Sequence, residues 1–172
     1  LQDVVTELLN EGTDTLILRT AGDLALAVPT TLTLGLHLEN LDASATGANK
    51  LNLTGNALNN TLTGNDFDNI MNGGLGNDNL IEGAGNDTYL VDNAGDTVIE
   101  AAAAGTDLVK ISIAAAGGSY ALAANVENGI LLNVVAFNLT GNGLDNVLTG
   151  NAGANVLDGG AGADTMIGGA GN

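Results

Sequence analysis

The 172-residue sequence is glycine-rich and strongly acidic, with 26 glycines, 20 aspartates and glutamates against three lysines and arginines, and a formal net charge of −17. This charge argues against binding to DNA, RNA or an anionic membrane surface and favours cations as partners, simple solubility being the alternative explanation. Only 2% of the residues are aromatic and none is cysteine, which argues against a core of large rings and removes disulfide scaffolds and zinc ribbons.

The first spacer, residues 1–54, returns later in the chain. DVVTELLNEGTDTLIL from Asp3 matches DTVIEAAAAGTDLVKI from Asp96, and HLENL around Glu39 matches NVENG around Glu127. NLTGNALNNTLTGN and NLTGNGLDNVLTGN form a third matching pair. The chain therefore consists of two copies of a unit of roughly ninety residues.

A nine-residue period governs the first array, residues 55–95. Each nonapeptide of this array holds turn residues at its fourth to sixth positions and a large apolar residue at its eighth. The units open at Gly55, Gly64, Gly73 and Glu82, and the apolar residues are Leu62, Met71, Leu80 and Tyr89. A period of nine matches neither a plain hairpin nor an amphipathic helix. It predicts a solenoid, in which the chain turns, forms a short strand and turns again.

The residue types within one unit indicate a metal site. Glycines such as Gly73, Gly74 and Gly76 allow positive φ and let backbone carbonyls converge, while Asp78 directs a carboxylate into the same space. Six to eight such oxygens at about 2.3–2.6 Å suit a calcium-sized cation. With no cysteine and one histidine in the chain, soft metals are disfavoured and calcium is the predicted ion.

The second spacer, residues 96–140, is predicted to contain short strands separated by Gly, Asn and Ala turns. These strands are Thr97–Ile99, Leu108–Ile113, Tyr120–Leu122, Ile130–Val135 and Phe137–Leu139. We interpret them as longer, metal-poor coils of the same solenoid; small separate β-sandwiches are the alternative. The apolar region from Ile111 to Leu139 contains Glu127 and several asparagines and glycines, so no membrane-spanning segment is expected.

The second array, residues 141–172, repeats the pattern of the first, with core positions at Leu148, Leu157 and Met166. The early units of both arrays carry asparagine where the later units carry aspartate, so these turns are expected to hold an amide hydrogen-bond ladder and no ion. The residues concerned are Asn60, Asn69, Asn146 and Asn155. Asp66, Asp68, Asp145 and Asp158 lie nearby but off the aspartate position.

GGLGNDNLI, EGAGNDTYL and GGAGADTMI resemble the nonapeptide of the repeats-in-toxin (RTX) family, the haemolysin-type calcium-binding repeat. The resemblance implies a right-handed parallel β-roll in which six residues form a calcium-binding turn and three form a strand. Asp78, Asp87 and Asp164 match the ligating aspartate, and the continued register adds Asp96. The matching turn glycines are Gly73, Gly74, Gly76, Gly83, Gly85, Gly159, Gly160 and Gly162.

Two nonapeptides per turn would stack Asn60, Asp78 and Asp96 on one side, with Asn69 and Asp87 on the other. The preferred calcium site lies between the turns of Asp78 and Asp96, and a site at Asp87 would share with Asn69 or with the spacer above. Stacked aspartates about 4.8 Å apart repel one another, so calcium binding should be coupled to folding.

The predicted architecture is all-β: a right-handed parallel β-roll or β-solenoid with calcium-binding Gly/Asp turns. Unit 1 comprises residues 1–95, with its spacer at 1–54 and its array at 55–95. Unit 2 comprises residues 96–172, with its spacer at 96–140 and its array at 141–172. One continuous solenoid, cut from a longer tandem array, is expected.

A catalytic function has little support in the sequence. His37 lacks a cysteine or carboxylate constellation, and GGSYA around Ser119 is not a nucleophile elbow. Two functional classes remain: a calcium-rigidified structural region of a secreted adhesin, matrix protein or surface filament, and a folding and export module of a secreted enzyme whose catalytic domain lies elsewhere. The duplication favours the first class. The family implies extracellular localisation through one-step export, and exposed terminal rungs would allow end-to-end self-assembly.

Overall fold

The computed structural model describes residues 8, 12–19, 29–47, 49–102 and 104–171. This part of the chain contains sixteen short β-strands and no helix, and therefore no helix that could span a membrane. The strands are β1 (Thr15–Arg19), β2 (Thr30–Thr33), β3 (Asn40–Ala45), β4 (Leu51–Thr54), β5 (Thr61–Thr63), β6 (Ile70–Asn72), β7 (Asn79–Ile81), β8 (Thr88–Val91), β9 (Thr97–Ile99), β10 (Leu108–Ile111), β11 (Gly118–Ala121), β12 (Asn128–Leu131), β13 (Phe137–Thr140), β14 (Val147–Thr149), β15 (Leu157–Asp158) and β16 (Thr165–Ile167).

Successive strands alternate between two faces of a solenoid. The even-numbered strands form one eight-stranded sheet from β2 to β16, and the odd-numbered strands form a five-stranded sheet from β1 to β9 and a three-stranded sheet from β11 to β15. Neighbouring strands in these sheets are parallel. Each turn of the chain therefore contributes one strand to each face, and about seven turns result. The predicted all-β parallel solenoid is confirmed.

Strands of the second spacer belong to the same sheet as strands of the arrays. β10 pairs with β8 from the first array and with β12, and β12 pairs with β14 from the second array. The first spacer coil after the array is longer than the array coils. Thr88 pairs with Leu108, twenty residues further on, whereas Ile70 pairs with Thr88, eighteen residues further on. The extra residues lie in the turns between strands, so a longer coil leaves the strand register intact.

Equivalent strands of the two sequence units lie on opposite faces of the solenoid. In the sequence alignment β1 corresponds to β10, β2 to β11 and β4 to β13, so equivalent strands are nine places apart in the order of strands. Equivalent strands therefore occupy opposite faces: β4 lies in the eight-stranded sheet and β13 in the three-stranded sheet. Backbone conformation follows the same equivalence, since His37 (φ 74°) and its counterpart Asn125 (φ 69°) are both left-handed.

One face is interrupted where the units meet. β9 pairs with β7 and β11 pairs with β13, but among the described residues β9 and β11 do not pair with each other. A cavity of about 300 Å³ lies at this interruption, lined by residues that include Asp96, Val98 and Tyr120. The opposite sheet continues through β8, β10 and β12, so one sheet carries the hydrogen bonding across the junction.

The core consists of apolar residues stacked in columns between the faces. In one column Leu53, Met71 and Tyr89 are in register, followed by Val109. In the other, Leu41, Leu62, Leu80 and Val98 are in register. The predicted core positions Leu62, Met71, Leu80 and Tyr89 are all fully buried. Aliphatic columns of this kind need few aromatic rings, which agrees with the composition.

The core prediction fails toward the last described coil. Leu148 is buried, but Leu157 is only partly buried and Met166 is 54% exposed. Met166 lies on β16, the outermost strand of its sheet in the described part of the chain, so no further rung there packs against it.

The predicted spacer strands agree with the structure in place but not in length. Thr97–Ile99 is correct, whereas β10 ends at Ile111 and β12 spans Asn128–Leu131 in place of Ile130–Val135. The wrong boundaries follow from apolar residues such as Val134, which is 78% exposed in the turn after β12. An apolar run alone does not distinguish a strand from an aliphatic turn.

Candidate metal centre

The turn glycines allow neighbouring turns to approach closely. Gly74 and Gly76 have φ of 88° and 131°, which an L residue rarely adopts. A Cβ at Gly74 would lie 2.3 Å from the carbonyl oxygen of Asn56, and a Cβ at Gly76 would lie 2.4 Å from that of Leu58. The glycines therefore admit the carbonyl oxygens of the adjacent turn. Positive φ recurs at Gly85, Gly160 and Gly162.

The first glycine of a unit lies beneath the side chain at its sixth position. A Cβ at Gly73 would lie 2.1 Å from Oδ2 of Asp78, and a Cβ at Gly159 would lie 2.2 Å from Oδ2 of Asp164. Gly83 is crowded differently, because its Cβ would lie 2.6 Å from Oδ1 of Asp66. Glycine at the first position of the Asp78 and Asp164 turns thus leaves room for the carboxylate to fold back over its own turn.

The sixth-position side chains form two ladders, on the sides that the two-per-turn arrangement predicts. On one side the amide of Asn60 donates to Oδ1 of Asp78 (2.7 Å), and the amide of Asp78 donates to Oδ1 of Asp96 (3.0 Å). On the other side the amide of Asn69 donates to Oδ1 of Asp87 (2.7 Å). Each carboxylate is therefore oriented by the backbone of the adjacent coil.

The two later aspartates of the first array have oxygens that the protein leaves unsatisfied. Oδ2 of Asp78 and Oδ2 of Asp87 are buried and have no hydrogen-bond partner among the described residues. Asp78 is 0% exposed and Asp87 is 2% exposed. A buried carboxylate oxygen without a donor is costly, and a cation satisfies it. The donor set at these turns, carboxylate and carbonyl oxygen, fits calcium.

Burial and neighbouring carboxylates disfavour the ionised forms of both aspartates. Burial, with the charges of Asp96 and Asp92, raises the pKa of Asp78 to about 6. Burial, with the charges of Asp107 and Glu100, raises the pKa of Asp87 to about 7. Hydrogen bonds from backbone amides oppose these increases without cancelling them. A divalent cation would reverse the local balance by favouring the ionised form.

The asparagine side chains have hydrogen-bond partners within the protein. Oδ1 of Asn60 accepts the amide of Asn56 (2.7 Å), and its Nδ2 donates to the carbonyls of Leu38 and Glu39. Asn69, Asn146 and Asn155 make the corresponding bonds within their own turn and to the preceding coil. The amide group supplies donors where a carboxylate has none, so these side chains are hydrogen-bonded without an ion.

Asp96 and Asp164 differ from the two central aspartates. Oδ2 of Asp96 accepts the amides of Asp92 (3.1 Å) and Asn93 (3.0 Å), so both of its oxygens are hydrogen-bonded. Asp164 is half-buried, and its Oδ1 accepts the amide of Asn146 (2.9 Å). Assignment of Asp78, Asp87, Asp164 and Asp96 as calcium ligands remains a prediction, for which the structure offers most support at Asp78 and Asp87.

Two acidic residues that face Asp87, namely Glu100 and Asp107, do not stand out in the sequence. Oxygens of Asp87, Glu100 and Asp107 all lie within 4.8 Å of one another, and all three residues are buried. Glu100 stands where the register calls for glycine, eighteen residues after Glu82. Asp107 lies twenty residues after Asp87, beyond the nine-residue register. Glu100 departs from the repeat in residue type and Asp107 departs from it in spacing, but the folded coils place both residues next to Asp87.

Comparison with known proteins identifies the two arrays. A family model for the RTX calcium-binding nonapeptide repeat, four copies long, matches residues 54–89 and 140–172, about two fifths of the chain. The matched stretches contain Asp78, Asp87 and Asp164 and leave out Asp96 and the spacers. No curated protein and no solved structure gave a match.

Replacing Asp78 with asparagine should reduce the dependence of the fold on calcium. Asparagine keeps Oδ1 as an acceptor for the amide of Asn60 and brings its own donors, as Asn60 itself does. We expect Asp78→Asn to raise the melting temperature in chelator and to bind fewer calcium ions in isothermal titration calorimetry. Exposed Asp158 serves as the control, because Asp158→Asn removes the same charge outside the ladders. Unchanged calcium stoichiometry in Asp78→Asn would contradict the assignment.

Acidification should stabilise the metal-free chain. The pKa values of Asp78 (about 6), Asp87 and Glu100 (both about 7) exceed their ordinary values near 4 in the folded state. The folded form therefore binds more protons, so its stability is fully present below about pH 4 and is lost as pH rises through 6 and 7. Circular dichroism melts in chelator should show more β-structure at pH 5 than at pH 7.5. Greater order at pH 7.5 would contradict the burial of these carboxylates.

Proposed function

The nonapeptide arrays of this chain belong to the RTX calcium-binding repeat family, and on that premise we propose that the chain is a structural region of a large secreted bacterial protein of the adhesin, biofilm-matrix or surface-filament type. RTX nonapeptide repeats bind calcium, and the chain folds as a structural β-solenoid. The proposed role is to become ordered and rigid on binding calcium outside the cell.

The observation that carries this proposal is the unsatisfied, fully buried oxygen of Asp78 in a ladder of like-charged side chains. Coil stacking places Asp96 in the next rung, and the chain as a whole has a net charge of −17. Binding that occurs only in the ordered state stabilises that state. Bound calcium would therefore offset the repulsion between the stacked carboxylates. Without it, the packing of the aliphatic columns must oppose that repulsion.

A structural role is favoured over an export module by the continuity of the two units. The eight-stranded sheet runs from β2 in the first unit to β16 in the second and crosses their junction. Tandem units joined in this way add length to one rod, with about 4.8 Å gained per rung. The single histidine, His37, occupies a left-handed turn position equivalent to that of Asn125, so its place in the chain is explained by backbone conformation.

Extracellular localisation fits both the family and the chemistry. RTX repeat proteins are typically secreted by type I secretion. Calcium sites of extracellular modules have weak affinities, with dissociation constants of about 10⁻⁴–10⁻³ M. A chain that is unfolded at cytosolic calcium and folded at extracellular calcium would remain export-competent until it leaves the cell.

End-to-end self-assembly forms a second part of the proposal. β16 is the outermost strand of its sheet in the described part of the chain, and Met166 and Ile167 are 54% and 51% exposed. Such a strand presents unpaired N–H and C=O groups, to which another parallel rung can bind. Repeated head-to-tail pairing of this kind produces filaments.

A calcium titration from chelator to about 10 mM tests the proposal, a range that spans the affinities of extracellular modules. We expect far-UV circular dichroism to change from coil to β-structure, and light scattering to rise with it if the ends assemble. Magnesium at the same concentrations is the control, since its preference for octahedral sites of about 2.0–2.1 Å should leave the chain largely unfolded. A β-spectrum that ignores chelator would contradict calcium-dependent folding.

A further inference from the structure

The junction between the two units is held by fewer backbone hydrogen bonds than the coils on either side. β10 pairs with both β8 and β12, but on the opposite face β9 and β11 do not pair within the described residues. In a solenoid each coil contacts only its neighbours, so such an interruption weakens the array locally. A cross-link between the coils that carry β8 and β10 would reinforce the sheet that remains continuous at the junction.

Three buried carboxylates meet at this junction. One oxygen each from Asp87, Glu100 and Asp107 lies within 4.8 Å of the others, and the residues are 2%, 8% and 1% exposed. Two oxygens bound to one calcium ion at about 2.4 Å are no more than about 5 Å apart, so this separation fits a shared ion. Oδ2 of Asp87 is buried without a hydrogen-bond partner in the described part of the chain.

The groups that orient these carboxylates carry no charge. Asp87 accepts the amide of Asn69 (2.7 Å), and Asp107 accepts the amide of Asp87 (2.8 Å). Glu100 accepts the hydroxyl of Tyr89 and the amide of Ala101 (3.0 Å). Neutral donors fix the geometry of the cluster but leave its negative charge uncompensated.

A fourth carboxyl group, that of Glu82, lies buried near the cluster. Glu82 is 6% exposed, and neither of its side-chain oxygens has a hydrogen-bond partner among the described residues. Burial, with the charges of Asp87, Glu100 and Asp107, raises the pKa of Glu82 to about 10. Burial likewise raises the pKa of Asp107. The environment therefore requires either protons or a cation.

We propose that Asp87, Glu100 and Asp107 bind one calcium-sized divalent cation that fastens the junction between the two repeat units. The proposal rests on the calcium-dependent function above and extends it beyond the Gly/Asp turns. Asp87 comes from the array of the first unit, whereas Glu100 and Asp107 come from the spacer of the second and lie outside the matched repeats. The ion would thus require both units.

The duplication supports a recurring site. By sequence Glu7 and Asp14 in the first unit correspond to Glu100 and Asp107 in the second, although Glu7 lies outside the described residues. The amide of Asp14 donates to Glu39 (2.9 Å), as that of Asp107 donates to Glu127 (2.8 Å). Oδ2 of Asp14 is also buried without a partner in the described chain. Each unit therefore carries the same acidic pair in its sequence, seven residues apart.

Terbium luminescence offers a local probe, because the chain has two tyrosines and no tryptophan. Tyr89 donates its hydroxyl to Glu100, whereas Tyr120 lines the cavity beside Asp96. In a Tyr120→Phe chain, terbium emission excited through tyrosine reports an ion close to Tyr89. We expect this emission to appear on adding terbium and to be displaced by excess calcium.

Substitutions at the junction should abolish the signal. In the Tyr120→Phe background, Glu100→Gln keeps an oxygen acceptor for the Tyr89 hydroxyl and should reduce the emission to the level of the free ion. Asp107→Asn keeps an acceptor for the amide of Asp87 and should have the same effect, which provides a second variant if the first does not fold. Asp42→Asn, which removes one charge on β3, is the control and should leave the emission unchanged.

The proposal is overturned if both junction variants retain full emission, or if emission is absent while calcium still orders the Tyr120→Phe chain in circular dichroism. In the second case calcium-dependent folding stands and the junction site alone fails. If instead calcium does not order the chain, the proposed function fails, and the emission of the control and junction variants still decides whether this cluster binds an ion.

Discussion

The stacking of one charged residue directly above another is the constraint on which the rest of this structure depends. Parallel pairing places each coil about 4.8 Å above the previous one, so a residue type that recurs with the coil forms a continuous column. Leucine in such a column forms the core. Asparagine forms hydrogen bonds with its own turn and with the preceding coil. Aspartate in the same column leaves Oδ2 of Asp78 and Asp87 buried without a donor. Under the proposed function, calcium satisfies these oxygens and forms part of the fold at these turns.

The odd offset between equivalent strands gives the array a second property. Equivalent strands are nine places apart on a solenoid with two strands per turn, so they lie on opposite faces. The ladder from Asn69 through Asp87 and Asp107 joins the array of one unit to the spacer of the next. In a tandem array built on this rule, equivalent turns of successive units would alternate between the two sides of the solenoid.

The sequence predicted those features that depend on regular spacing. The eighth-position residues of the first array are in the core, and the ladder of Asn60, Asp78 and Asp96 follows from two nonapeptides per turn. Features that depend on insertions were not predicted. Asp107 reaches the ladder through a coil two residues longer than the repeat, and the interruption between β9 and β11 concerns pairing that no local pattern encodes. Coil length can vary in the turns without changing the strand register, so a search at fixed period loses such residues.

Hydrogen exchange measured by mass spectrometry, in chelator and in about 10 mM calcium, tests most directly whether cations hold the aspartate ladders together. Peptides covering β4 to β9 contain Asp78 and Asp87 and the buried columns around them. The account predicts that these amides exchange rapidly in chelator and become protected together when calcium is added. Strong protection of the same peptides in chelator would show that aliphatic stacking and amide ladders suffice, and would contradict the account.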